Sequence, residues 1–147
     1  MTEYYKEKLQ AGLEYQDYIT DLLLNEIGLP ISTYSSKKYQ YRGENAQGVE
    51  IKFDDQMAKT GNVYIEIAEK TRAENPDYVP SGIYREDNTW LYVIGDYKKV
   101  YIFSKKFLIQ LHKAERYTRL IEIATSRGFL LNNDLTEKYC IKKIAHE

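Results

Sequence analysis

The stretch GVEIKFDDQMAKTGNVYIEIAEK, Gly48 to Lys70, holds two strand-length segments separated by a turn signal, Gly61-Asn62. In the first, Val49, Ile51 and Phe53 alternate with Glu50, Lys52 and Asp54. In the second, Val63, Ile65 and Ile67 alternate with Tyr64, Glu66, Ala68 and then Lys70. Successive side chains on a strand point to opposite faces, so each segment is expected to carry one apolar and one charged face. Pairing the two as an antiparallel hairpin, in the register that keeps both apolar faces together, sets Asp54 opposite Glu66, Lys52 opposite Ala68 and Glu50 opposite Lys70. Three carboxylates and two ammonium groups then surround one small residue. Such oxygen ligands suit Mg²⁺, and a lysine beside the metal can position water or stabilise phosphate charge.

Around this stretch the chain reads as α+β. A helix is expected from about Tyr5 to Ile27, with Tyr5, Leu9, Leu13, Leu23 and Ile27 on the inner side, and Gly28 and Pro30 ending it. Glu3, Glu7, Gln10, Glu14, Asp17 and Asp21 form the opposite stripe. A short strand is expected around Lys38 to Arg42, and a second hairpin joins Thr89–Ile94 to Val100–Phe103 through Gly95-Asp96-Tyr97. Ser104 is placed to cap a helix from Lys105 to about Arg116. Leu120–Ala124 fits strand or helix, and Leu135–Ile144 is expected to be a last helix.

The bulk numbers suit one soluble domain spanning residues 1–147. With 147 residues, 43% of them hydrophobic and 29% charged, folding can remove roughly two-thirds of the unfolded surface from water. A net charge of −1 does not mark a nucleic-acid binder by composition, although acids at a metal site can mask a basic rim. A single cysteine, Cys140, excludes an internal disulfide, and the opening residues lack a signal-peptide core, so a cytoplasmic location is expected. No segment has the ~20 apolar residues a membrane span needs. His112, His146 and Cys140 fit no zinc spacing.

The two-strand block resembles the PD-(D/E)XK nuclease superfamily, which pairs an acid at the end of one strand with a Glu-x-Lys or Asp-x-Lys triplet on the next. Asp54 matches the first acid and Glu66 the acid of the triplet. The lysine position is Ala68, a departure from the pattern. Lys52 on the earlier strand, or Lys70 one step further along the same face, can replace it; a lysine displaced to a neighbouring strand occurs in the superfamily. Gly61-Asn62 and Ser81-Gly82 also fit a pattern in small phage and bacterial members. The resemblance covers roughly Leu9 to Phe103.

It implies a restriction-endonuclease-like core, a mixed sheet of about four to five strands flanked by helices, and Mg²⁺- or Mn²⁺-dependent hydrolysis of DNA phosphodiester bonds. The implied metal ligands are Asp54, Glu66, Glu50 and the helix acid Glu14. Glu50 has a second role open to it, as salt-bridge partner of Lys70. The catalytic group comprises Lys52, Asp54, Glu66, Glu50 and Lys70, and DNA phosphates are expected at Lys37, Lys38, Arg42, Arg72 and Arg85. Two strands to cut need two sites, which leaves a homodimer open. The competing expectations are a catalytically inactive DNA-binding module on the same fold and a protein-interaction domain that meets no nucleic acid. An alternating charged face is also what the solvated side of any antiparallel sheet shows.

Overall fold

A computed structural model describes residues 2–31 and 47–146. The expected strand at Lys38–Arg42, and the phosphate contacts expected of Lys37, Lys38 and Arg42, lie outside the described residues.

The protein is α+β, with a mixed four-stranded sheet flanked by helices. Helix α1 (Glu3–Ile27) starts at Thr2, whose hydroxyl accepts the Tyr5 N–H, and stops at Gly28. Strands β1 (Val49–Phe53), β4 (Leu91–Gly95), β5 (Lys99–Ser104) and β8 (Lys142–Ala145) form the first sheet in the order β1-β4-β5-β8. Among the described residues, β1 and β4 are its one parallel pair. Strands β2 (Asn62–Glu69), β3 (Val79–Pro80), β6 (Arg119–Ile123) and β7 (Ser126–Asn132) form an antiparallel second sheet, ordered β3-β2-β7-β6. The short helix α2 (Met57–Thr60), then α3 (Lys105–Lys113) and α4 (Asn133–Tyr139), complete the elements of the described residues, with a 3₁₀ turn at Gly82–Tyr84.

Two apolar clusters hold these layers. One face of the first sheet (Val49, Ile51, Leu91, Val93, Val100, Ile102) packs on Tyr15, Ile19, Leu22 and Leu23 of α1. Its other face (Tyr92, Ile94, Tyr101, Phe103) meets Val63, Ile65, Phe129 and Leu131 of the second sheet, with Leu108 and Leu111 of α3. The buried stripe of α1 therefore lies toward its C-terminal half, whereas Tyr5, Leu9 and Ile27, expected inside, are exposed. Tyr15 and Tyr18 also hydrogen-bond the Asp96 and Tyr97 carbonyls at 3.0 and 3.1 Å, which fixes α1 to the β4–β5 turn.

The expected hairpin between Val49–Asp54 and Val63–Glu69 does not form. β1 lies beside β4, with Glu50 next to Tyr92 and Lys52 next to Ile94, while β2 pairs with β7 in the other sheet. Alternation identifies a strand and its two faces but not its neighbour. The charged face of β1 is also not solvated at its start, because Val49, Glu50 and Ile51 are all buried. The connection after β1 winds into α2, whose end at Gly61 delivers the chain to the second sheet.

Leu120–Ala124 resolves to strand, as β6. The expected last helix is shorter: α4 ends at Tyr139, and Lys142–Ala145 is the edge strand β8.

Candidate functional site

Asp54 follows β1 and has three backbone partners. Its Oδ1 accepts the N–H groups of Gln56 and Met57 at 3.0 and 2.9 Å, and its Oδ2 accepts that of Tyr64 at 3.2 Å. One carboxylate thus caps the turn into α2 and ties the end of the first sheet to β2 of the second. Burial pushes its pKa above the usual carboxylate range, against the lowering effect of those three N–H groups.

Glu66 lies two residues beyond Tyr64 on β2, about 7 Å along the strand. Ser126 of β7 donates to its Oε1 at 2.7 Å, and Ser81 donates to its Oε2 at 3.0 Å. The Tyr64 hydroxyl lies 2.5 Å from the Ser126 hydroxyl. With Ser126 donating to Glu66, Tyr64 is the donor to Ser126, so the groups form one directional chain into the carboxylate. Gly82 lets the Ser81 turn come this close. Its φ is +57°, and a Cβ there would lie 2.1 Å from the Glu66 carbonyl oxygen.

Lys52 and Glu50 leave β1 on the face opposite α1. Their ammonium and carboxylate are 3.1 Å apart; the Glu50 side chain is 2% exposed and that of Lys52 43%. Glu50 raises the Lys52 pKa, with a smaller contribution from Glu66, against the desolvation that would lower it. Lys52 is accordingly a permanently charged donor near neutral pH, suited to holding a water or a phosphate oxygen rather than to removing a proton.

Lys52, Asp54 and Glu66 line one cavity of about 810 Å³, to which strands of both sheets contribute. Tyr92 and Ile94 of β4 form one side, and Arg119, Ile121 and Ile123 of β6 with Leu130 of β7 form another. Comparisons with family models, curated proteins and solved structures return no match. The cavity's own chemistry therefore carries the functional argument.

The remaining expected site residues are dispersed. Glu14 is exposed on α1 and accepts from Gln10 at 3.2 Å, so it does not join the cavity acids. Lys70 lies over the Tyr78 ring, 4.8 Å from its centroid, rather than beside Glu50, whose ionic partner is Lys52. Ala68 does not face Lys52; it sits opposite Arg127 and Pro80, next to an irregularity in the β2–β7 ladder. Arg85 is 3.7 Å from Glu69, and Arg72 is exposed in the loop after β2. Among the described residues, no three or more His, Cys, Asp or Glu side chains gather as a metal cage.

Asp54 and Glu66 are the expected acids that line the cavity, beside Asp55, which is paired with Lys8 at 2.9 Å. A carboxylate offers about four lone-pair sites. Asp54 uses three of them and Glu66 two, so both keep acceptor capacity. That donor set fits Mg²⁺, which takes one or two carboxylates and completes its shell with waters and substrate phosphate.

Sequence reasoning missed Tyr92, Arg119, Ser81 as a ligand of Glu66, and Ser126. Ser81-Gly82 does carry a sequence signal, as a pair that fits the resemblance. Ser126 carries no sequence signal, because only the β2–β7 register brings it to Glu66.

Proposed function

We propose that the cavity is the active site of a metal-dependent deoxyribonuclease of the PD-(D/E)XK type, acting on DNA with Mg²⁺ or Mn²⁺. The supporting observation is that Lys52, Asp54 and Glu66, arriving from two different sheets, line the same cavity. Asp54 and Glu66 would hold the cation, which when bound supplies Lewis-acid polarisation of a phosphate and acidifies water. Lys52, kept charged by Glu50, donates to the attacking water or to a phosphate oxygen. Ser81 and Ser126 fix the Glu66 rotamer, so its carboxylate is aligned before substrate arrives. Arg119 at the cavity wall adds a second cation for the strand.

A DNA-binding module without catalysis is the competing reading, and Ala68 in the usual lysine position favours it. Purified protein with Mg²⁺ or Mn²⁺ is expected to cut single-stranded, duplex or branched DNA, and Glu66→Gln and Asp54→Asn to abolish the cutting. Absence of cleavage on all three substrates would refute the nuclease reading. Retained DNA binding without Mg²⁺ uptake in calorimetry would then support the inactive module. A cytoplasmic location and a homodimer belong to the same proposal; gel filtration with light scattering tests the dimer.

A further inference from the structure

Ile27 at the end of α1, Trp90 before β4 and Ile141 before β8 line one groove of about 240 Å³ over the buried side chains of Leu23, Leu91 and Val93. All three are exposed, Trp90 by 57% and Ile141 by 64%. Leu24, also exposed, lies one helical turn before Ile27 and widens the patch. The Trp90 indole is already fixed, because its Nε1 donates to the Gln47 carbonyl at 2.8 Å, so covering it costs little side-chain entropy. Together the four side chains expose roughly 400 Å² of apolar surface, as much as the largest patches on soluble monomers, which are often interaction sites. The groove is on the α1 face of the first sheet. Leu91 and Val93 of β4 line it, whereas Tyr92 and Ile94 line the cavity on the opposite face, so a partner seated here leaves the cavity open. Opposite charges flank the patch: Asp21 lies one turn before Leu24 on α1, and Lys142 follows Ile141. Neither forms a salt bridge with a described residue.

We propose that this patch is where two copies of the chain pair about a two-fold axis through the groove, with Asp21 of each copy set against the partner's Lys142. A two-fold interface is self-complementary, so charges of opposite sign on its two sides meet when the patch pairs with itself. Covering the patch on both copies removes roughly 800 Å² of apolar surface; at about two-thirds apolar, the whole interface is then about 1,200 Å², the lower end of specific interfaces. A dimer that dissociates at micromolar concentration is expected from that size. The pairing gives the proposed homodimer a surface and requires neither metal nor DNA.

Sedimentation equilibrium of the full chain from about 1 to about 200 μM tests it, and the mass is expected to climb from monomer toward dimer. Ile141→Asp, at an exposed position, should weaken association at least about tenfold with an unchanged melting temperature. Asp21→Lys and Lys142→Glu should each weaken it several-fold, because each sets like charges opposite one another twice. An equal mixture of those two variants should recover the dimer, since every facing pair is then of opposite sign. A monomer throughout the range overturns the pairing. So does a dimer indifferent to Ile141→Asp, or charge variants that mixing does not rescue. Cleavage of DNA by a protein that stays monomeric leaves the nuclease reading standing while this interface falls. Dimers that behave as expected but cut nothing do the reverse.

Discussion

The Glu50–Lys52 pair predicts an asymmetric response to mutation. Glu50 is 2% exposed and Lys52 43%, so the two ends of one ion pair face different surroundings. Lys52→Ala strands a buried carboxylate, and removing one member of a buried pair costs about 3–5 kcal/mol. Partial water access through the cavity puts the expected loss near the lower end, about 3 kcal/mol, or a fall in Tm of roughly 6–12 °C for a chain of this size. Glu50→Gln leaves an ammonium that can turn to solvent, so about 1 kcal/mol is expected. In the double variant the stranded charge is gone, and the loss should be smaller than for Lys52→Ala alone. Urea unfolding of the four proteins measures all three values. Glu50→Gln costing as much as Lys52→Ala, with no relief in the double variant, would refute the placement of Glu50 as the enclosed partner. The raised Lys52 pKa has its own sign: the stability it adds is present below the unfolded value of 10.5 and lost as pH climbs through the higher folded value.

His112 carries a pH signature of the opposite sense. Burial lowers its pKa below 6.5, and its Nδ1 is 2.5 Å from the Tyr84 hydroxyl, with the ring stacked on Phe129. Stability from this site is full above 6.5 and falls as acid protonates the unfolded chain in preference to the folded one. Melting curves from about pH 7.5 to about pH 5 should show that decline in the native protein and a flatter profile in His112→Gln. Gly82→Ala places a Cβ 2.1 Å from the Glu66 carbonyl oxygen at positive φ, so a loss of about 2–4 kcal/mol is expected in chemical denaturation; an effect under about 0.5 kcal/mol would contradict the close approach.

Much of the fold was legible where local chemistry decides it. The β4–β5 hairpin followed from alternation around Gly95-Asp96, and α3 from Ser104, whose hydroxyl accepts the Phe107 N–H at 3.2 Å. Charge spacing also drew attention to Lys52, Asp54 and Glu66, and these three do share a cavity. Strand partners were not legible. β1 and β2 have the pattern of a hairpin, yet Val63 and Ile65 pack with Phe129 and Leu131 of β7, a strand far along the chain. Lys142–Ala145 fits helical spacing as well as strand, and only the edge of β5 available to it decides for strand. The neighbours that define the cavity share that difficulty. Arg119, Leu130 and Tyr92 come from three strands, and they converge through sheet register rather than sequence spacing.

The most direct measurement is anomalous diffraction from crystals of this protein soaked in Mn²⁺. The account predicts a peak in contact with the Asp54 and Glu66 carboxylates, with Glu66 still held by Ser81 and Ser126. A fully soaked crystal with no density at those oxygens, or with manganese bound only elsewhere, would contradict it.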